Sequence, residues 1–431
     1  MAITGWFVAL LAAGAVPLVL TGQGWVLGLW VVIVCALAGA DLAMAGSPRA
    51  VALRRSVPAR VRLGETVAAD LIVSNTGRRR LRATARDAWE PSAGAGTRTR
   101  YPLDIPPGER RAVTTALTPF RRGERRAVHV TLRSFGPLRL AARQATLTAP
   151  ATLKVLPPFN SRKHLPSRIA RLRELDGLTS VMIRGQGTEF DSLREYVRGD
   201  DVRSIDWRAT ARRGDAVVRT WRPERDRRIV IVVDSGRTSA ARIDNEPRID
   251  TAYESALLLA ALASRAGDRV DLVIFDRRVR GRVQGATGAD LLNRMVETMS
   301  PVDPELIEMD WAAVPGLVRS ITSHRALVVL ATSIDAPGAS RGLLAVLPQL
   351  TAKHTVLVSS VTDPGVLAAT LERGDRSEVY RAAAAERALL DISRVSAAVR
   401  QSGAEVVTGA PADLPPALAD AYIALKAAGR L

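Results

Sequence analysis

The sequence predicts a multidomain chain: an N-terminal transmembrane helical hairpin, an antiparallel β-sandwich, then a doubly wound α/β domain. Three observations predict it. Two apolar runs open the chain and carry no charge before Asp41. The next hundred residues alternate apolar and polar positions between turn signals. From Ile229 onward, short wholly apolar runs alternate with helical segments, the pattern of a mostly parallel sheet with right-handed crossovers. The expected boundaries are 1–45 for the anchor, 46–158 for the sandwich, 159–228 for a charged segment and 229–431 for the α/β domain. At 431 residues and 47% hydrophobic, the chain is long enough for two or three such cores.

The anchor comes first. Ile3–Leu20 and Trp25–Ala40 are apolar, and Thr21-Gly22-Gln23-Gly24 separates them. A bilayer core takes about 20 residues per helix. Each run reaches that with its flanks, which predicts two spans. Ala43-Met44-Ala45 resembles a signal-peptide cleavage site, but no Lys or Arg precedes the first run, and the apolar region exceeds a signal core. Arg49, Arg54, Arg55, Arg60 and Arg62 follow the second run, and no basic residue precedes or divides the pair. The positive-inside rule then predicts a cell-membrane protein with both termini and its bulk in the cytoplasm. Trp6, Trp25 and Trp30 are candidates for interfacial anchors or for helix packing.

In the sandwich region, Val67, Ala69, Leu71 and Val73 alternate with more exposed positions before the turn Asn75-Thr76-Gly77. Leu81, Ala83 and Ala85 alternate with Arg82, Thr84 and Arg86, and Pro106-Pro107-Gly108 marks another turn. Val128, Val130 and Leu132 alternate with His129, Thr131 and Arg133 until Phe135-Gly136-Pro137 ends the strand. His129 falls on the outward set. Pro157-Pro158 closes the region, and a basic helix is expected over 162–176. Beyond it, strands are expected at 229–233, 270–275, 279–283, 326–331, 354–360 and 405–407. Helices are expected over 249–265, 286–299, 378–401 and 417–428.

The formal charge is +18, and residues 46–160 carry 22 Lys+Arg against 7 Asp+Glu. A basic excess beside an apolar terminus suits anionic lipid head groups better than nucleic acid, and no nucleic-acid partner is expected. An Arg-rich solvated surface is the competing reading, since four of the 61 basic residues are Lys. The single cysteine, Cys35, excludes an intrachain disulfide and a Cys-based metal site.

Neither a dinucleotide-binding glycine pattern nor a phosphate-binding loop nor a nucleophile elbow occurs, and the four histidines have no metal-ligand spacing. No catalytic motif remains, so an enzyme is not the first expectation. Two constellations stay open. One is the strand end Asp234-Ser235-Gly236-Arg237-Thr238-Ser239, whose carboxylate and hydroxyls are hard oxygen ligands suited to Mg²⁺, or else a hydrogen-bonded turn. The other sets Asp200, Asp201, Asp206, Glu224 and Asp226 among Arg194, Arg198, Arg203, Arg208, Arg219, Arg222 and Arg225. An ion-pair network is the first reading, and a metal-dependent hydrolase using Asp200, Asp201, Asp206 and Asp234 is the alternative. Trp207 is expected beneath that network, so that Trp207→Ala costs about 3–5 kcal/mol.

The segment T-E-F-D-S-L-R-E-Y-V-R-G-D-D-V-R-S-I-D-W-R-A-T-A-R (188–212), then V-R-T-W-R-P-E-R-D (218–226) and the strand ending at Asp234, resembles the signature of the domain-of-unknown-function 58 family. Asp200, Asp201, Arg203, Asp206, Trp207 and Arg208 are its signature or partner-binding candidates. The N-terminal hairpin and β region also resemble that bacterial family's arrangement. The resemblance implies a von Willebrand factor A-like domain and the company of MoxR-type AAA+ ATPases. It further implies a degenerate metal-ion-dependent adhesion site at Asp234, Thr238 and Thr287. Gly236 and Ser333 stand where that motif wants a hydroxyl and a carboxylate, with Asp335 two residues on, so weak or no Mg²⁺ binding is expected. The leading expectation is a non-enzymatic membrane-anchored adaptor or scaffold that binds a protein partner, by resemblance a MoxR-type ATPase. An anionic-lipid-binding structural protein is the third reading.

Overall fold

The computed structural model describes residues 2–97, 99–182, 189–198, 200–222, 227–243 and 246–431. Glu224, Arg225 and Asp226 of the charged stretch lie outside them. The chain forms two compact units, Met1–Leu156 and Pro157–Leu431.

Among the described residues of the first unit, one helix is long and apolar enough to cross a membrane: Gly24–Met44, 21 residues with mean hydropathy 2.3. At 1.5 Å per residue it measures about 32 Å, close to a bilayer core. The first apolar run does not form a second helix of that length. It divides into Gly5–Ala12 and Ala15–Thr21. The cause is local. Trp30 Nε1 donates to the Leu10 carbonyl at 3.0 Å, the acceptor that the Gly14 N–H would use in a continuous helix. That N–H turns to Leu11 instead, and Pro17 has no N–H to give Ala13. Gly14 is needed there, because a Cβ would lie 2.3 Å from Trp30 Cδ1. Trp30 is therefore a packing residue, while Trp6 and Trp25 are exposed. The broken pair turns back through Gly22 (φ +63) onto the long helix.

Both ends of this helical region are fastened to one hairpin of the sandwich. Ala2–Ile3 pairs antiparallel with Ala141 and Ala142. Thr4 Oγ1 donates to the carbonyls of Arg139 at 2.6 Å and Leu140 at 2.9 Å. At the far end of the helix, the buried Asp41 carboxylate accepts the N–H groups of Leu138 (2.8 Å), Leu140 (2.8 Å) and Ala141 (3.2 Å). Gly136 must lack a side chain, since a Cβ would meet Asp41 at 2.2 Å.

The sandwich packs a three-stranded sheet (Val51–Ser56, Val67–Asn75, Arg110–Leu117) on a larger one built on Leu81–Trp89, Arg100–Ile105, Gly123–Phe135 and Ala141–Leu156. Leu71 and Val73 from the first meet Leu81, Ala83, Ile105, Val130 and Leu132 from the second in a shared core. Val128 departs from the expected alternation. Against Leu81–Trp89 this strand carries one extra residue, since Asp87 pairs with Val130 and Trp89 with Ala127, and at that β-bulge Val128 faces solvent beside His129.

The second unit opens with a 3₁₀ turn, Asn160–His164, and the helix Leu165–Met182. An antiparallel ribbon follows, Glu189–Glu195 with Val217–Arg222, and between its strands sit a 3₁₀ turn, Val202–Ser204, and the helix Trp207–Arg213. The α/β part then runs β1 (Arg228–Asp234), α1 (Arg248–Arg265), β2 (Arg269–Phe275), β3 (Val279–Val283), α2 (Gly288–Met299), α3 (Val314–Ile321), β4 (Leu327–Ala331), α4 (Arg341–Thr351), β5 (Thr355–Val361), α5 (Arg376–Gln401), β6 (Glu405–Gly409) and α6 (Leu414–Ala427). The sheet order is β3-β2-β1-β4-β5-β6, parallel except for the antiparallel edge strand β3. Burial on both faces explains the unbroken apolar runs. Val230, Val232, Val328, Leu330, Val356 and Val358 pack against α3, α4 and α5. Their neighbours Ile229, Ile231 and Val233 are equally buried, and α1, α2 and α6 pack together on the sheet.

Candidate functional site

The five apolar residues of β1 carry the chain through the core and release it at Asp234, which is buried. The chain goes from β1 to β2 on one side and from β4 to β5 on the other. Asp234 therefore sits at the switch point between β1 and β4, where open α/β sheets bind ligands. Register brings Thr332 beside it, because Val233 pairs with Ala331. Asp234 Oδ1 accepts the Gly236 N–H at 2.7 Å, and Oδ2 accepts the hydroxyls of Thr332 at 2.7 Å and Thr238 at 3.4 Å. Ser239 Oγ donates to the Asp234 carbonyl at 2.7 Å and closes the turn.

Burial pushes the Asp234 carboxyl above the usual carboxylate range. Its three hydrogen bonds oppose that rise, and the negative charge of Asp276 adds to it. Asp276, at the end of β2, goes the other way. Burial acts upward on it too, but Arg280 Nε at 2.6 Å and the N–H groups of Arg277 and Arg278 outweigh burial and hold it low. Asp234, Thr238, Thr332, Ser333, Asp335 and Ser340 line a cavity of about 20 Å³, room for about one water-sized group. Arg237 and Glu308 form an exposed ion pair at its rim.

Of the predicted adhesion-site residues, the structure brings Asp234 and Thr238 together and leaves Thr287 apart. β3 runs antiparallel to β2, so the chain returns toward the start of the sheet before α2 begins. Thr287, the exposed residue preceding α2, follows that return and does not line the Asp234 cavity. Asp335 does line it, with its carboxylate 3.2 Å from Arg248 Nη1. Gly236 is glycine for a physical reason. The segment between α2 and α3 lies over the turn: Arg237 N–H donates to Ile307 O and Glu305 N–H to Ser235 O, each at 2.8 Å. A Cβ at position 236 would stand 2.9 Å from that Ile307 carbonyl. Thr332 and the covering segment escaped sequence reading, because only strand register and loop packing place them here.

These residues do not fit a Mg²⁺ site. Three donors direct hydrogens at the Asp234 carboxylate, position 236 has no room for a hydroxyl, and Asp335 faces an arginine. Among the described residues, no three His, Cys, Asp or Glu side chains converge as a metal set.

The signature carboxylates serve local structure. Asp200 accepts Arg194 Nη2 at 2.6 Å and the Val197 N–H at 2.9 Å. Asp201 caps the 3₁₀ turn through the Arg203 N–H at 3.0 Å. Asp206 is the N-cap of Trp207–Arg213. It accepts the N–H groups of Arg208 and Ala209, each at 3.0 Å, and Arg219 Nε at 2.8 Å. The Ala209 N–H and Arg219 hold the Asp206 carboxyl below its usual range. None of the three carboxylates lines the Asp234 cavity. The side chains of Arg203 and Arg208 are exposed. Trp207 is not beneath the network, being 67% exposed. Asp206 caps the short helix that Trp207 opens, and the ring stands exposed there.

Among solved structures, the chain is similar to the CARDB domain of the PF1109 protein from Pyrococcus furiosus, determined in complex with di-metal ions. That likeness has 16% identity, covers 24% of this chain and 91% of that one, and has a TM-score of 0.19. Native alpha-2-macroglobulin from Escherichia coli, from domain MG7 to the C-terminus, gives 12% identity, 26% and 17% coverage and a TM-score of 0.22. The chain is 28% identical over 242 residues to the uncharacterized protein Rv1480 of Mycobacterium tuberculosis and to the uncharacterized protein Mb1516 of Mycobacterium bovis, over 54% of this chain and 75% of each relative. Residues 192–405, from within the ribbon to the first residue of β6, match the family described as "Protein of unknown function DUF58".

Proposed function

We propose that the protein is a membrane-anchored adaptor whose α/β unit is von Willebrand factor A-like and docks a protein partner at the carboxyl ends of β1 and β4. The observation that carries this is Asp234. Its partners are one N–H and two hydroxyls, none of them cationic, yet the carboxylate is buried at the switch point. A carboxyl held against its ordinary ionisation in such a place is a functional candidate. The strand order, with its single antiparallel edge strand, supports the fold reading. The partner that the family resemblance suggests is a MoxR-type AAA+ ATPase working on envelope-related clients.

The anchor reading is a hairpin of two spans with the bulk of the chain in the cytoplasm. Its support is that Ala2–Thr4 and Asp41 are fastened to the same sandwich hairpin, so the chain leaves and re-enters at one face. Crosslinking from native membranes, followed by purification of wild type and Asp234→Ala, tests the adaptor reading. An AAA+ ATPase recovered with wild type and depleted with the variant is the expected result. Equal recovery would remove Asp234 from the docking surface.

A further inference from the structure

Two loops of the sandwich meet the end of the long N-terminal helix. The first is the hairpin turn 136–140, held by Asp41 through the N–H groups of Leu138 and Leu140, each at 2.8 Å. The second is the turn 77–80. There the Arg79 guanidinium donates to the Ala43 carbonyl, and a Cβ on Gly46 would lie 2.8 Å from the Arg80 carbonyl. Asp41 and Ala43 belong to the last turn of Gly24–Met44. If that helix spans the bilayer, as proposed above, both loops lie at the level where it emerges.

The chemistry they present there is specific. Leu138 at the hairpin tip is 50% exposed. Arg49, Arg78 and Arg139 are exposed, and their guanidiniums make no hydrogen bond or ion pair among the described residues. The acidic side chains of the adjoining segment 104–109 are already matched, Asp104 by Arg80 at 2.6 Å and Glu109 by Arg111 at 3.3 Å. Asp41 is enclosed by its three N–H donors. What faces outward is one apolar tip with three free arginines.

We infer that this end of the sandwich is a seat for anionic lipid head groups. Leu138 enters the interfacial layer, and Arg49, Arg78 and Arg139 contact lipid phosphates. Guanidinium recognises phosphate through paired N–H donors, and juxtamembrane arginines are attracted to an anionic leaflet. The surface is continuous with the anchor helix. The helix holds it at the bilayer, so contacts too weak to recruit the protein still act at high effective concentration. The seat fixes how the sandwich stands on the membrane, and it gives three of the basic residues of 46–160 a partner.

The test uses the full chain carrying Cys35→Ser, with Leu138→Cys or Glu65→Cys bearing a fluorophore. The protein is placed in nanodiscs of phosphatidylcholine, alone or mixed with phosphatidylglycerol, containing a head-group nitroxide quencher. Glu65 precedes Val67–Asn75 at the other end of the sandwich, roughly 30 Å from the turn at 3.3 Å per residue. Quenching at 138 should exceed that at 65 several-fold. It should rise with phosphatidylglycerol, and the rise should vanish in high salt and in Arg49→Gln/Arg78→Gln/Arg139→Asn. Asparagine suits position 139, where φ is +56. Equal quenching at the two sites, or quenching at 138 that ignores lipid charge, overturns the seat. Retention in nanodiscs and resistance to alkaline extraction are scored separately. Protein that is lost there refutes the anchor, whereas protein that is retained but unquenched at 138 refutes only the seat.

Discussion

Replacing Asp234 with asparagine should stabilise the α/β sheet at neutral pH. Asparagine keeps the shape and the Oδ1 acceptor for the Gly236 N–H at 2.7 Å. Its amide nitrogen takes the place of Oδ2, and the Thr332 and Thr238 hydroxyls can rotate to accept from it. What disappears is the buried charge. Because burial raises the folded-state pKa of Asp234, the unfolded chain releases its proton at lower pH than the folded one. Stability therefore falls as pH rises from the unfolded value, about 3.9, through the folded one, and the whole loss is present above it. The variant should gain stability at pH 7, where the relieved charge outweighs the weaker neutral hydrogen bonds, and nothing below about pH 4. Asp234→Ala removes the acceptor of three donors, strands one backbone N–H and opens a small void, so it should lose about 2–4 kcal/mol. Hydrogen exchange at β1 and β4 amides is the assay, since it reports opening of this sheet in a chain whose two units need not unfold together. Faster exchange in Asp234→Asn at pH 7, or a difference that is flat from pH 4 to 8, would show that the buried charge does not weaken the sheet. A stabilising Asn would mark Asp234 as kept for binding and not for the fold.

Three further outcomes are expected. Trp207→Ala should lower stability by less than about 1 kcal/mol, as for other exposed positions, and a melting-temperature loss equivalent to 3–5 kcal/mol would place the ring in a core after all. Asp41→Ala should speed amide exchange at Leu138, Leu140 and Ala141 by about tenfold each, as loss of one hydrogen-bond acceptor predicts, and unchanged rates would dissolve the clamp. Calorimetric titration of the full chain with Mg²⁺ should show no saturable binding in the micromolar range. Micromolar binding that disappears in Asp234→Ala would restore a metal-dependent adhesion mechanism.

Much of the fold was legible because two-sided burial leaves a plain mark. β1, β4 and β5 are unbroken apolar runs, and the carboxylate that ends β1 stands out against them. The sandwich was legible through alternation until Val128, where an inserted residue reversed the side facing the core, a change that local pattern cannot signal. The first apolar run reads as one helix because composition says nothing of Trp30 reaching across to Leu10. At the site, Asp234 and Thr238 lie four residues apart on one turn and were within reach of motif reasoning. Thr332 was not, since β-sheet register carries it 98 positions along the sequence to Asp234. Thr287 was misplaced because spacing cannot show that β3 runs back along β2. Aromatic size argues for burial of Trp207, yet it opens a short helix and stands exposed.

We propose above that a protein partner docks at the carboxyl ends of β1 and β4. The most direct test is site-specific photo-crosslinking in native membranes, with the crosslinking side chain at position 308 on the rim or at position 287 after β3. A discrete adduct from position 308 that is absent from 287 and weakened by Asp234→Asn is the predicted result. Adducts of equal yield from both positions, or from 287 alone, would contradict it.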